Sequence, residues 1–295
     1  GIVIVLPLIN LPSESEYNQE SPGYYTNFAG MQGIEELWTA LRKSPPGRVL
    51  VPTSSMPLRI KPFGHTHIMS LIPIFTDKEI IGGTPTMLTP MSVFLYYGYA
   101  RDKVANFAES FDRVSLFGMR YEDIDEVRLH KICKHLDITT VVVWMCDQQI
   151  VDFFLNNKYF SCRTQAGNFL LFDIKEYSHN LIETNSDMAN VKLFEYKPDR
   201  IRINILNASE GAEMLLKVSY YPLWQAYIGK KKMEIGMDEA GLMKVKLPKG
   251  KDYVVEFRYE NGDVEKIGSY ISLFAICMIV MMGCYQIYLK LYRPV

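Results

Sequence analysis

Charge is absent from the end of the sequence. Between Lys266 and Lys290 no acid or base occurs, and the 23 uncharged positions reach about 34 Å as a helix. A bilayer core is roughly 30 Å thick. A helix enclosed by a soluble domain would keep a polar stripe, and Ser269, Ser272 and Gln286 are too scattered to draw one. Residues 267–290 are therefore expected to cross a membrane, with Tyr270 near one end and Tyr285, Tyr288 and Tyr292 near the other as interfacial aromatics. Lys290 and Arg293 stand beyond the span without acids, whereas Lys266 has Asp263 and Glu265 beside it. The positive-inside tendency then puts the C-terminus in the cytoplasm and residues 11–266 outside the cell membrane.

A dominant sign of charge is also missing. Lys and Arg number 32 against 33 Asp and Glu, a net charge of −1, so nucleic acid is not expected as a partner. Hydrophobic residues at 48 % and charged residues at 22 % exclude wholesale disorder. Cysteine is scarce: of five, Cys277 and Cys284 fall in the expected span, and Cys133, Cys146 and Cys162 lack C-x-x-C spacing. Buried free thiols are expected. The opening "GIVIVLPLIN" lacks the basic start of a signal peptide. Residues 1–10 read as the outer end of a truncated membrane helix, with a first strand over Ile2–Leu6 as the alternative.

Between these ends the expected fold class is α+β. Residues 11–190 form a small helix-covered α/β sheet domain, and 191–266 an antiparallel β-sandwich. Residues 11–32 are polar, with Pro and Gly, and read as a connector. "GIEELWTALRK" sets Ile34, Leu37, Trp38 and Leu41 at helical spacing before the strand "RVLV". Residues 56–101, aromatic and rich in Pro and Gly, read as loop and short helix near the membrane surface, or as a loop closing a core. "YEDIDEVRLHKICKHLDI" reads as a helix with Ile124, Val127, Ile132 and Leu136 inward, followed by a buried strand "TTVVVWM". Asp147 caps a helix over "QQIVDFFLNN", and "NFLLFDIK" is a strand. Further on, Ile201, Ile203 and Ile205 alternate with polar residues, as do Met243, Val245 and Leu247, and Tyr253, Val255, Phe257 and Tyr259. The turn runs "IGKK", "LPKGK" and "ENGD" follow, as in a sandwich.

Signatures of catalysis are scarce. No G-x-G-x-x-G, phosphate loop, G-x-S-x-G or H-E-x-x-H occurs, and Gly82-Gly83 reads as a tight backbone turn. His65 and His67 in "GHTH" offer half a metal site if extended, but an unlinked pair is more often structural, so no metal and no cofactor is expected. "HKICKH", with His130, Cys133 and His135, reads as a solvated helix face. Asp77 and Glu79 share a face if that segment is a strand, and surface acids are the plainer reading. Tyr220, Tyr221 and Trp224 in "SYYPLWQAYIG" offer either core packing of Trp224 with Tyr220 or a platform for sugar rings.

"LLKVSYYPLWQAYIGKKKMEI" and "GLMKVKLPKGKDYVVEFRYE", followed by an apolar helix, resemble the C-terminal end of YfhO-type bacterial membrane proteins. They resemble equally the polytopic proteins labelled 6-pyruvoyl-tetrahydropterin synthase-related. "PPGRVLV", "TDKEIIGGTPTMLTPMS" and "HLDITTVVVW" are similar to the latter group, so the resemblance spans most of residues 33–290. Leu223 departs from it, standing where those proteins have Gly before Trp. The resemblance implies the extracytoplasmic C-terminal region of a multi-span protein related to lipid-linked-sugar glycosyltransferases of the GT-C architecture. It further implies a polyprenyl-phosphate sugar or an envelope glycan as partner, beside membrane lipid. The catalytic acid of that architecture lies in an early loop, upstream of Gly1, so no catalytic residue is carried onto this sequence. The alternative is a non-catalytic, membrane-anchored module for glycan binding or envelope assembly.

Overall fold

Ile34, Leu37, Trp38 and Leu41 are all buried on one face of helix α1 (Ile34–Arg42), as their spacing predicts. Glu35 and Glu36 in its first turn and Arg42 in its last complement the helix dipole. The computed structural model describes residues 33–52, 68–82, 90–97, 115–185 and 190–292. Residues 1–10 and the connector at 11–32 lie outside the described residues. The chain divides into two compact units: Gly1–Leu181 with Glu239–Gly241, and Ile182–Asp238 with Leu242–Val295. The architecture is mixed α+β, dominated by sheets, most of them antiparallel, with one C-terminal apolar helix.

The first unit is built on a five-stranded sheet. Its strands are β1 (Arg48–Val51), β2 (Ile80–Gly82), β5 (Ile138–Trp144), β6 (Phe160–Ala166) and β7 (Phe169–Ile174), in the order β2-β1-β5-β7-β6. β1 runs parallel to β2 and β5; β7 is antiparallel to β5 and β6. A short hairpin, β3 (Ser115–Leu116) with β4 (Met119–Arg120), pairs separately. All seven residues of β5 are buried, which explains its unbroken apolar run in place of alternation. One sheet face, with Val142, Trp144, Phe169 and Leu171, packs against α1 and against Ile72 of helix α2 (Ile72–Thr76). On the opposite face Phe154 of helix α5 (Gln148–Asn156) meets Phe160 and Phe172 edge-on or tilted at 4.9 and 5.6 Å. Asp147 holds the N-cap position of α5 without a side-chain cap bond.

Within residues 56–101, helix α3 (Pro90–Tyr97) places Phe94 and Leu95 in a core. Gly82 sits at φ +86°, and a Cβ there would lie 2.0 Å from the Val51 carbonyl oxygen. Close approach of β1 is thus the reason for this glycine.

Helix α4 (Glu126–His135) departs from its expected inward face at Val127 alone. Asp125 caps it by accepting a 2.6 Å hydrogen bond from the Arg128 amide. The buried face is Leu129, His130, Ile132 and Cys133, with Ile124 before the helix and Leu136 after it also buried, while Val127 is 39 % exposed. "HKICKH" is therefore not a solvated face. His130 shares its Nε2 hydrogen bond with the Lys175 carbonyl at 3.0 Å and stacks on Tyr159 at 4.3 Å. Of the three cysteines before the terminal helix, Cys133 is buried, with its thiol pushed far up by desolvation, whereas Cys146 and Cys162 are exposed. Their expected burial holds only for Cys133.

The second unit carries two sheets. The five-stranded one joins β9 (Asn190–Lys197), β10 (Arg200–Ala208), β12 (Trp224–Ile228), β13 (Lys231–Met233) and β16 (Gly250–Tyr259), in the order β13-β12-β16-β10-β9. The four-stranded one joins β8 (Ile182–Thr184), β11 (Glu213–Ser219), β14 (Gly236–Met237) and β15 (Leu242–Lys246), in the order β14-β15-β11-β8. Every pairing in both is antiparallel. Ile201, Ile203, Ile205, Val255 and Phe257 are buried, while the alternate positions Arg202, Glu256 and Arg258 carry charge. β16 leads directly into helix α6 (Asp263–Tyr292). The most apolar 18 residues within its Asp263–Tyr285 stretch have a mean hydropathy of 2.1 and none of them is buried; it is the one described helix long and apolar enough to cross a membrane.

Candidate functional site

The sequence "YYPLW" closes a turn at the end of the second unit from which α6 departs. The Trp224 amide donates to the Tyr221 carbonyl at 3.0 Å, and the Gln225 side chain donates to the Pro222 carbonyl at 3.0 Å. Trp224 then begins β12 directly opposite Tyr259, the last residue of β16. The Glu260 amide donates to the Leu223 carbonyl at 2.9 Å, fastening the turn to the chain that enters α6. The Leu223 side chain lies against Gly262, 3.0 Å from where a Cβ would stand. Leu223 therefore fills space beside a glycine at the helix entrance.

Three rings gather on this turn. Tyr221 stacks on Tyr259 with centroids 6.0 Å apart and planes 15° from parallel. Trp224 meets Tyr259 edge-on at 5.6 Å and 82°. Their exposure separates their roles: Trp224 is 9 % exposed, Tyr221 45 % and Tyr259 41 %. Trp224 is the support, and the stacked tyrosines are the accessible surface. Desolvation, then the neighbouring Tyr221, raises the Tyr259 phenol pKa above its ordinary value. Tyr227, on the same strand as Trp224, donates its hydroxyl to Glu260 at 2.8 Å, and that bond is the main cause of its raised pKa. The Tyr259 phenol thus stays protonated and able to donate a hydrogen bond, whereas the one proton of Tyr227 is committed to Glu260. A flat aromatic pair with hydroxyl donors at its rim suits a sugar ring, which offers a C–H face and hydroxyl acceptors.

The other candidates do not converge here. His65 and His67 lie outside the described residues. Asp77 is the exposed C-cap of α2 at φ 57°, not a strand residue, so it does not alternate with Glu79 on a strand, and both are surface acids. Glu79 instead holds the buried Arg48 side chain at 2.7 and 2.8 Å, while Arg48 also donates to the Leu136 carbonyl at 2.8 Å. That arrangement joins strands and leaves no acid pair. Tyr220 is half-buried and outside the three-ring cluster, so Trp224 packs on Tyr259 rather than on Tyr220. Among the described residues no group of three or more His, Cys, Asp and Glu side chains is placed to hold a metal ion. Tyr259 is the residue the sequence pattern misses. It reads as the last inward position of an alternating strand, and only its register with Trp224 reveals it. Compared with protein-family models, curated proteins and solved structures, the chain matches none.

Proposed function

We propose that this chain is an extracytoplasmic region of a multi-span membrane protein resembling lipid-linked-sugar glycosyltransferases, and that it binds glycan or acceptor at the membrane face. In this reading the two antiparallel sheets form a β-sandwich held over the bilayer by α6, with the C-terminus in the cytoplasm and a polyprenyl-phosphate sugar or an envelope glycan as ligand. One observation carries it: an exposed tyrosine pair stands at the root of a helix that is uncharged and unburied over residues 267–285. Tyrosine at that depth suits the headgroup zone, where one side is apolar and the other wet. A sugar on a lipid carrier presents its ring at the same level. No catalytic step is assigned to any residue of this chain.

The test uses the full chain in phosphatidylcholine nanodiscs, titrated with a polyprenyl-phosphate-linked sugar and with the free oligosaccharide. Tyr221→Ala is expected to weaken binding about tenfold while the melting temperature stays within a few degrees of the parent. Equal binding by the parent and Tyr221→Ala sinks the reading. Sidedness is checked on the exposed Cys146 and Cys162, which a membrane-impermeant maleimide should label in intact cells.

A further inference from the structure

We infer that the second unit carries a separate site for an extended polyanion, a chain bearing phosphate or carboxylate groups, in a lysine-lined cleft away from α6. The cleft measures about 460 Å³ and draws its walls from both sheets. From the five-stranded sheet comes the hairpin β12–β13, whose two-residue turn Gly229-Lys230 has Gly229 at φ +58°, the left-handed conformation such a turn requires. That turn sets Lys231 and Lys232 on the rim. From the four-stranded sheet comes β15, where Lys244 and Lys246 share a face two residues apart.

The charges are available. Lys244 is held by Glu213 at 2.7 Å. Lys231, Lys232 and Lys246 are exposed, and among the described residues none has a carboxylate within ion-pair distance. Glu234 is the other acid on the wall, so four lysines face two glutamates. Beneath them lie Val245 and Leu247, both buried, with Ile228 and Met233 half-buried. Ammonium groups above an apolar floor suit a ligand with anionic substituents on a less polar backbone, such as an acidic glycan.

Position favours a polymer over the headgroups of the anchoring membrane. In β16, Tyr259 adjoins the helix, Val255 pairs with Ile228 at the near edge of the cleft, and Gly250 follows its far edge. At about 3.4 Å per residue the cleft lies roughly 14 to 30 Å along the strand from the junction. The attraction of an anionic surface fades within a Debye length of about 8 Å. The site stands apart from the tyrosine pair, and either can fail without the other.

The experiment titrates the full chain, in phosphatidylcholine nanodiscs, with an eight-residue oligogalacturonate and with a short inorganic polyphosphate. Maltooctaose is the neutral control. The triple variant Lys231→Gln, Lys232→Gln, Lys246→Gln is expected to bind at least one of the anionic oligomers about tenfold or more weakly, with a shallower salt dependence. The control set Lys43→Gln, Lys131→Gln, Lys158→Gln removes the same charge from the first unit and should bind like the parent. Three results overturn the proposal: no loss in the lysine triple, an equal loss in the control set, or maltooctaose binding as tightly as the anionic oligomers. Capture of phosphatidylglycerol vesicles through the same lysines, with no oligomer bound, replaces it by a headgroup site.

Discussion

The two units put their aromatic rings in opposite places. In the first unit the rings are the core: Trp38, Phe94, Phe117, Phe154, Phe169 and Phe172 are each at most 2 % exposed. In the second the core is aliphatic, with Ile201, Ile203, Ile205, Met214, Leu216 and Val255 fully enclosed, and Phe257 as the main ring among them. Phe194, Tyr196, Tyr221 and Tyr259 are turned outward there. A sheet with helices on both faces leaves deep space between layers that large rings fill. Alternating antiparallel strands bury one face only and leave the other for charge or for aromatic contact surfaces. Rings in the first unit hold the fold together; several in the second lie exposed on its surface.

The largest effects test that division. Phe154→Ala removes a ring that touches Phe153, Phe160 and Phe172, and should cost about 3–5 kcal/mol in urea denaturation. Trp224→Ala tests the exception in the second unit. If Trp224 is the support beneath the tyrosines, its loss should cost a similar 3–5 kcal/mol. Unchanged melting with weakened glycan binding would move Trp224 from the support to the contact surface.

A smaller effect concerns a buried charge of the first unit. In the first unit Asp137 is fully buried and accepts from the Tyr177 hydroxyl at 2.8 Å, the Asn180 amide at 2.9 Å and the His179 Nδ1 at 2.7 Å. It stands at φ 58°, which asparagine tolerates. Asp137→Asn therefore removes charge without backbone strain and is expected to cost about 1–3 kcal/mol, because one donor is left facing an amide group. A cost near zero in thermal melts would show that the fold needs only the shape of this residue.

Much of the first unit's core was legible in the sequence, for a physical reason. The spacing of Ile34, Leu37, Trp38 and Leu41 and the unbroken "ITTVVVW" are local patterns that burial enforces. Of the inward set expected around α4, Ile124, Ile132 and Leu136 are buried, and only Val127 turns outward, because the Asp125 cap starts the helix after Ile124. The strand that would pair the acids at 77 and 79 begins only at Ile80, and both are exposed, as the plainer reading of surface acids has it. For the candidate site, Tyr221 and Trp224 stood out by composition, whereas Tyr259 depended on register across 35 residues. The lysine cleft was hidden for the same reason: each lysine reads as an ordinary turn or edge residue until β13 and β15 converge.

The smallest effect concerns the charged outer face of β9, β10 and β16. Glu195 receives Lys197 at 2.6 Å and Arg200 at 2.9 Å, and Arg202 passes from it to Glu256, which also holds Arg258. The Lys197 bond first, then Arg200, hold the Glu195 carboxyl at about 2, below its ordinary 4.5. A depressed carboxylate pKa stabilises the fold above the unfolded value and loses that contribution as pH falls through the folded one. The window is thus pH 4.5 down to about 2. Glu195→Gln should melt slightly below the parent at pH 6, and the gap should close across that window. Ion pairs on an exposed face contribute little, so the gap is small and shrinks with added salt. A gap that is constant with pH would mean that Glu195 acts through packing alone, and that the outer face of the second unit is held by its strands rather than by its charges.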